Sequence, residues 1–388
     1  MASINSTQEA NQDEIANRLR EKRQALGLSQ KQLAAMAGIT RQAVCAVEAN
    51  HYSPATSVAL RLARALRCQV EELFSLNGGG EIIEGELLGG LPRGVDKRRV
   101  QVAQVGNRLL VRRLDGLGEL TSLSAIADGL VLGRGSDVKH VKVRLFEDRA
   151  RLGRKAVVAG CDPGMFLAAE HLRKRDKGTL VPCLMGSSMA IGALKRGEVH
   201  AAGVHLSDDR SGEWNLPYLE RHLSGVDCLI VTFAHWEEGL ILRQEDRKKI
   251  RSVADLARPA VKIVNRENGS GARRLLDRQL DNCGIPSAKV KGYGDEVCSH
   301  LEVAARIKAG SADAGIGVQA AASIFGLDFV PLQRERYDLV IPKTHYQTLP
   351  GLRALLDIIV SRPFREELEA LGGYDTSEAG KSQDLSAV

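Results

Sequence analysis

The sequence predicts a multi-domain chain: an all-α N-terminal domain over residues 13–75, a linker and small β-rich module over 76–150, and an α/β domain over 151–376. Three observations predict it. Apolar residues recur at helical spacing almost throughout 14–74, short β-like runs take over from Ile82, and strand–helix alternation begins at Lys155. A chain of 388 residues is also too long for one ordinary core.

The elements follow in order. Residues 1–12 are polar and are expected to be disordered, as is the tail from Thr376. The stretch "LSQKQLAAMAGITRQAVCAVEANHYSP" (28–54) carries the strongest local signals. Ser29 is a natural N-cap, and Gln32 three residues on completes a capping box. Leu33 and Met36 are expected to face inward, Gly38 to end that helix, and Thr40 to cap the next. Val44 and Val47 then point to the core, leaving Arg41, Gln42 and Cys45 or Ala46 toward solvent. Two short helices joined by a tight glycine-containing turn make a helix-turn-helix. "LNGGGE" (76–81) reads as a linker. "RRVQVAQVGNRLLVRRL" reads as a hairpin turning at Gly106–Asn107, "VKHVKVRLF" as a strand, and Ser122–Leu132 as a short helix.

The segment Ile15–Phe74 resembles the Cro/lambda-repressor (XRE) family, through "LREKRQALGLSQKQLA", "AGITRQAV", "VEANHYSP" and "ALRLARALRCQVEELF". The resemblance implies double-stranded DNA as partner. Arg41 and Gln42 would reach base edges, Arg suiting guanine and Gln suiting adenine. Gln30 would bond a phosphate and brace that pair, with Thr40 and Ser53 completing the DNA-contacting set. Arg23 and Glu48 match an ion pair between helices and are expected to be structural. Ala46 is small where family members often carry a long polar base reader, so readout leans on Arg41, Gln42 and DNA shape. The plainer alternative is a helical bundle with a solvated polar face.

In the α/β region three loops follow strands and open helices. They are "AGCDPGM" with Cys161 and Asp162, "MGSSMAIGALKRGEV" with Ser187 and Ser188, and "IVNRENGSGARRLL" with Asn265, Arg266, Gly269, Ser270, Gly271 and Arg273. Each offers backbone amides and hydroxyls at a helix start, which suits an anion. Each alone is more often just a cap; three at strand C-terminal ends point to a site. There is no GxGxxG or GxxxxGK[ST], so a dinucleotide or P-loop reading is poor.

The region Lys155–Gly373 resembles the type II periplasmic-binding-protein fold, specifically the molybdate-binding-protein-like domains fused to helix-turn-helix regulators. The runs that carry this are "VAGCDP", "GSSMAIGALKRGEVHAAGVHL", "VNRENGSGARRLLD", "GYGDEVCSHLEVAARIKAGSADAGIGV" and "LDFVPLQRERYDLVIP". The resemblance implies two lobes joined by crossing strands with ligand in the cleft, and Ser187 and Ser188 as the serine loop that bonds an oxyanion. Cys161 stands near that family's first-loop serine and Val318 near its tyrosine, both departures from a molybdate site. Arg266 and Arg273 could instead charge-match a carboxylate or phosphate, or simply sit on a solvated helix face. His205 ends a strand at the cleft and is expected in the site, His300 less so. Glu237 and Glu238 are adjacent in a strand and cannot both face one substrate.

Composition bounds the rest. Aromatics at 4% argue against a single-strand stacking platform, and a net charge of +6 permits nucleic acid without requiring it. The seven cysteines are scattered with no CxxC or tight Cys/His spacing, so no disulfide framework, metal site or cofactor is expected. No apolar leader or long uncharged apolar run occurs, and a cytoplasmic location is expected. The expectation is a non-enzymatic, homodimeric transcriptional regulator sensing a small anion, with an enzyme of small-molecule metabolism, or a protein-docking module, as the competing readings.

Overall fold

The structure is a computed structural model that describes residues 15–49, 51–76, 80–89, 98–115, 125–175, 178–206, 213–243 and 249–386. The chain divides into two compact units, Met1–Glu81 and Ile82–Val388. Among the described residues, no helix is long and apolar enough to cross a membrane.

The first unit holds helices α1 (Leu19–Ala25), α2 (Gln30–Ala37), α3 (Arg41–Glu48), α4 (Thr56–Ala65) and α5 (Val70–Leu73). Their inward faces meet at Leu19, Leu33, Val44, Val47, Leu62 and Leu73, all fully buried. The capping signals hold: Ser29 and Gln32 form the capping box, Gly38 closes α2 in the left-handed region, and Thr40 Oγ1 accepts from Ala43 N at 3.1 Å. Met36 corrects an expectation, since it is 55% exposed. Leu33, Ala34 and Ala37 set the buried stripe, which leaves position 36 outside it. The unit is not purely helical either. Strands β1 (Ile15–Asn17) and β2 (Phe74–Leu76) pair antiparallel and join its two ends. Three residues per strand give no periodicity to read. Residues 1–12 and residues 77–79 of the 76–81 linker lie outside the described residues.

In the second unit, strands β3 (Ile82–Leu88), β4 (Arg99–Val105), β5 (Arg108–Arg113), β6 (Gly129–Arg134) and β7 (His140–Leu145) close into a barrel. The hairpin at Gly106–Asn107 joins β4 to β5, as expected. The helix expected over Ser122–Leu132 is not borne out where it is described. Gly129–Leu132 belongs to β6, and a Cβ at Gly129 would lie 2.3 Å from the Arg144 carbonyl oxygen of the paired strand. The first residues of that stretch lie outside the described set.

Beyond the barrel stands an eight-stranded sheet. Its strands are β8 (Lys155–Gly160), β9 (Thr179–Leu184), β10 (Ala201–Val204), β11 (Cys228–Leu242), β14 (Ala314–Val318), β15 (Asp328–Pro342), β16 (Tyr374–Asp375) and β17 (Ser382–Leu385). β12 (Asn265–Arg266) and β13 (Glu296–Val297) form a separate parallel pair. The helices between are α6 (Gly164–Lys174), α7 (Ser187–Lys195), α8 (Leu216–His222), α9 (Gly271–Asn282), α10 (His300–Lys308), α11 (Gln319–Phe325), α12 (Lys343–Thr348), α13 (Pro350–Ile359) and α14 (Arg362–Ala370).

A mostly parallel sheet was the expectation, and only β9–β8–β10 is parallel. The 15-residue β11 and β15 run antiparallel to each other and carry the chain between two lobes, which alternating strands and helices alone do not signal. The pair is bulged at Thr232/Ala234 and at Glu238/Gly239, the second beside the cleft. The tail is a second correction. Ser382–Leu385 pairs with β11, burying Leu385, and Thr376 is fully buried, so polar composition there hides an edge strand.

Candidate functional site

Two surfaces carry the residues singled out above. In the helical unit, α3 presents Arg41, Gln42 and Cys45 to solvent while Val44 and Val47 face the core. Ser53 is exposed and Gln30 half-buried. Arg23 donates to both carboxylate oxygens of Glu48, at 2.6 and 3.0 Å, and to the Leu28 carbonyl at 2.6 Å. Gln30 Nε2 donates to the same carboxylate at 2.9 Å. Burial raises the Glu48 pKa, but the bonds from Arg23 and Gln30 outweigh it and hold the group below its ordinary value. Gln30 thus braces the ion pair from within, and Thr40 is a helix cap.

The second surface lies where the lobes meet across β11 and β15. Cys161 follows β8, His205 follows β10, and Ser187 opens α7; all three are buried. Ser187 Oγ accepts from His205 N at 3.1 Å. Ser188 Oγ donates to the Gly269 carbonyl at 2.8 Å and accepts from Tyr218 Oη at 3.2 Å, so the serine loop of one lobe touches the glycine loop of the other. Ser270 caps α9 and donates to the Glu267 carbonyl. Gly271 has no room for a side chain, because a Cβ there would lie 2.3 Å from His205 Cε1. Ser270 and Gly186 are in the same tight contact.

His205 is the hub. Its Nε2 lies 3.1 Å from Cys161 Sγ and its Nδ1 2.5 Å from Glu335 Oε2, with Glu238 Oε2 at 3.8 Å. His300 Nδ1 lies 3.9 Å from Glu238 Oε1. Trp236 and Tyr337 stack around the same imidazole, and Asp162 accepts from Tyr374 Oη at 2.5 Å and from Gly164 N at 2.6 Å. Arg266 is fully buried and grips Glu267 with two bonds, at 2.8 and 3.1 Å. Several polar atoms here are buried with no hydrogen-bond partner: both oxygens of Glu238, both ring nitrogens of His300, Arg266 Nη1, Trp236 Nε1, Tyr337 Oη and Asp162 Oδ2. So many at one place is unusual, because buried polar groups are nearly always satisfied.

Electrostatics follow from that burial. Burial lifts Asp162 to about 7, against the bonds from Tyr374 and Gly164, and lifts Glu335 to about 7. Burial and the neighbouring Glu335 carry Glu238 well above the carboxylate range. His300 is pushed well down, by burial and then by Arg266 and His205. Burial pulls His205 down, but Cys161 and Glu238 together carry it above its ordinary value.

Of the residues expected in the cleft, the fold gathers Cys161, Asp162, Ser187, Ser188, His205, Arg266, Gly269, Ser270 and Gly271. Two it turns aside. Asn265 braces the Tyr293 carbonyl, and Arg273 pairs with Asp277 and Glu296 while lying over the Tyr293 ring. Sequence reading underweighted His300 and missed Glu335, Trp236 and Tyr337. Glu238 was within reach, since it lies two residues from Trp236 on one strand face while Glu237 points to the other side. Sequence spacing gave no sign of one further juxtaposition: the fold brings a sulfur or nitrogen of Cys161, His205 and His300 within 4.8 Å of one another.

Residues 19–73 match the helix-turn-helix family, and residues 169–360 match the family described as a PBP superfamily domain. YvgK of Bacillus subtilis (strain 168), an uncharacterized protein, is 36% identical over 225 residues, 58% of this chain and 72% of that one. An HTH-type transcriptional regulator of Methanothermobacter thermautotrophicus, also uncharacterized, is 46% identical over 63 residues, 16% of this chain and 91% of that protein. Among solved structures, a phosphate transporter substrate-binding protein of Clostridium perfringens overlays 59% of this chain and 100% of its own, at 15% identity and a TM-score of 0.41. The chain belongs with YvgK over the stretch they share, and it carries an XRE-type helix-turn-helix domain at its N-terminus and a PBP-superfamily domain in its C-terminal region.

Proposed function

We propose that this chain is a one-component bacterial transcriptional regulator, working in the cytoplasm where its DNA lies. It binds operator DNA as a homodimer through α3, and a small ligand held between the lobes changes how firmly the operator is held. Base reading by Arg41 and Gln42 is supported by their exposure at the start of a capped helix whose other face is core. The ligand we infer is a small anion, a molybdate-like oxyanion or a small carboxylate. Helix starts at Ser187 and Ser270 come together from opposite lobes, and Arg266 Nη1 is a buried positive donor without a partner. One observation carries the reading. The Ser188-to-Gly269 bond joins the two ligand loops directly, so whatever binds at these loops also acts on lobe closure.

A second reading has one observation in its favour. Cys161, His205 and Glu335 stand in line at 3.1 and 2.5 Å, the order of a nucleophile, a base and its orienting acid. All three are buried, which argues for binding over turnover.

The test uses full-length protein and a duplex enriched from a random pool. Operator affinity is measured alone and with molybdate, tungstate, sulfate, phosphate or small carboxylates. Arg41→Ala should weaken binding by about 1–3 kcal/mol and relax preference at one base pair. Joint Ser187→Ala and Ser188→Ala should spare operator binding and weaken the anion by about 1–3 kcal/mol. Failure to enrich any sequence defeats the regulator reading, and an operator affinity indifferent to every anion defeats the anion.

A further inference from the structure

We propose that Cys161, His205 and His300 bind a divalent transition-metal cation of the zinc class across the cleft. The inference goes beyond the anion reading and does not depend on it. One donor atom from each residue lies within 4.8 Å of the other two, and all three residues are buried. One sulfur and two imidazole nitrogens suit zinc-like ions, whereas calcium and magnesium take oxygen. The donors come from both lobes: Cys161 and His205 end strands of the first, and His300 opens α10 of the second.

The surroundings are those of a metal site as well. Glu335 takes the Nδ1 side of His205 at 2.5 Å and leaves Nε2 aimed at Cys161 Sγ. A carboxylate behind a metal-bound histidine is a recurrent device that fixes the ring and its tautomer. Glu238 stands 3.9 Å behind Nδ1 of His300. The independent observation is His300 itself, fully buried with neither ring nitrogen hydrogen-bonded. A buried imidazole with two idle nitrogens is costly unless one of them has another partner.

Two carboxyl groups, Glu335 and Glu238, stand behind the histidines, and the buried Arg266 beside them already bonds Glu267. Gly271 completes the fit, since any Cβ there would displace the His205 ring. Three protein donors also leave a fourth coordination position open.

The experiment takes reduced, chelator-stripped full-length protein and adds zinc or cobalt chloride, with no oxyanion or carboxylate in the buffer. One zinc per chain should bind, raise the melting temperature, and resist gel filtration. Cobalt should give a thiolate-to-metal charge-transfer band and intense visible absorption of tetrahedral type. Cys161→Ser should abolish that band, and His300→Gln should weaken zinc at least about tenfold. Glu335→Gln should weaken it about tenfold while keeping the band, as expected of a positioning residue. Cys283→Ser, at an exposed cysteine, should change nothing. Circular dichroism confirms that each variant is folded. A folded wild-type protein that takes up no stoichiometric zinc, or a cobalt band that survives Cys161→Ser and disappears in Cys283→Ser, overturns the proposal. Either result leaves the anion reading untouched, because no anion is present.

Discussion

Two buried arginines divide this molecule. Arg23, in the helical unit, satisfies Glu48 and the Leu28 carbonyl, and Glu48 takes a further bond from Gln30. Arg266, between the lobes, grips Glu267 and the Cys298 carbonyl but keeps Nη1 unpartnered, among two idle nitrogens of His300 and two idle oxygens of Glu238. The first network closes on itself and fixes the way helices pack. The second is open, and the open ends converge on one cleft. A buried charge satisfied by its own fold fixes shape, and the buried groups left open at the cleft are what the proposed ligand reading rests on.

The largest effect that could break this contrast is at Arg23. Arg23→Ala strands Glu48 in a site where its side chain is nearly buried, at an expected cost of about 3–5 kcal/mol to the helical unit. Guanidinium unfolding of the full chain, followed by far-ultraviolet circular dichroism, should show an early transition lost to lower denaturant. Operator base preference of the protein that remains folded should be unchanged. A stable variant with altered preference would move Arg23 from scaffold to reader.

His200 supplies a neutral version of the closed network and the next largest effect. Its Nδ1 accepts from Val157 N at 3.0 Å and its Nε2 donates to the Gln104 carbonyl of the barrel, also at 3.0 Å. Both nitrogens are used, and only the neutral ring can use them so. Burial, then His345, hold the pKa down to about 4. The unfolded chain takes up its proton near pH 6.5, before the folded one does, so stability is full above that pH. It falls as pH drops from about 6.5 and levels off below about 4, a loss of about 3 kcal/mol. Melting temperatures of wild type and His200→Gln across that window give the test. The variant should lose most of the acid slope; an unchanged slope assigns it to other groups.

What the sequence made legible follows the same division. Capping box, left-handed Gly38 and the Arg23–Glu48 pair are local or family-borne signals, and each stands where it was expected. The cleft was legible only in part. Ser187, Ser188 and Gly269–Gly271 sit at helix starts, which local pattern reveals. Glu335 and Tyr337 sit inside a 15-residue strand whose pairing with β11 decides what they face, and nothing near them in sequence states that register. His300 reaches His205 from nearly a hundred residues away. Spacing rules for metal ligands see donors on one helix or loop and are blind to three donors delivered by three separate elements.

The smallest effect tests the contrast most directly, through one substitution made twice. In Glu48→Gln, an oxygen that accepts from arginine becomes an amide that cannot accept, and Arg23 loses a charge-assisted partner in a nearly buried setting. The expected loss is about 1.5–3 kcal/mol, the worth of a hydrogen bond to a charged group. Glu238→Gln removes no hydrogen bond, because neither Glu238 oxygen accepts or donates one within the fold. The shape is kept, and the ion-pair distances to His205 and His300, 3.8 and 3.9 Å, are too long to be hydrogen bonds. In chelator-stripped, ligand-free protein the change should therefore move stability by less than about 1 kcal/mol in either direction. The same variant should shift the melting temperature gained on adding zinc, since the carboxylate behind His300 is gone. A Glu238→Gln protein that is as damaged as Glu48→Gln without any ligand would mean the cleft network is closed after all, and that its carboxylates hold the lobes rather than a guest.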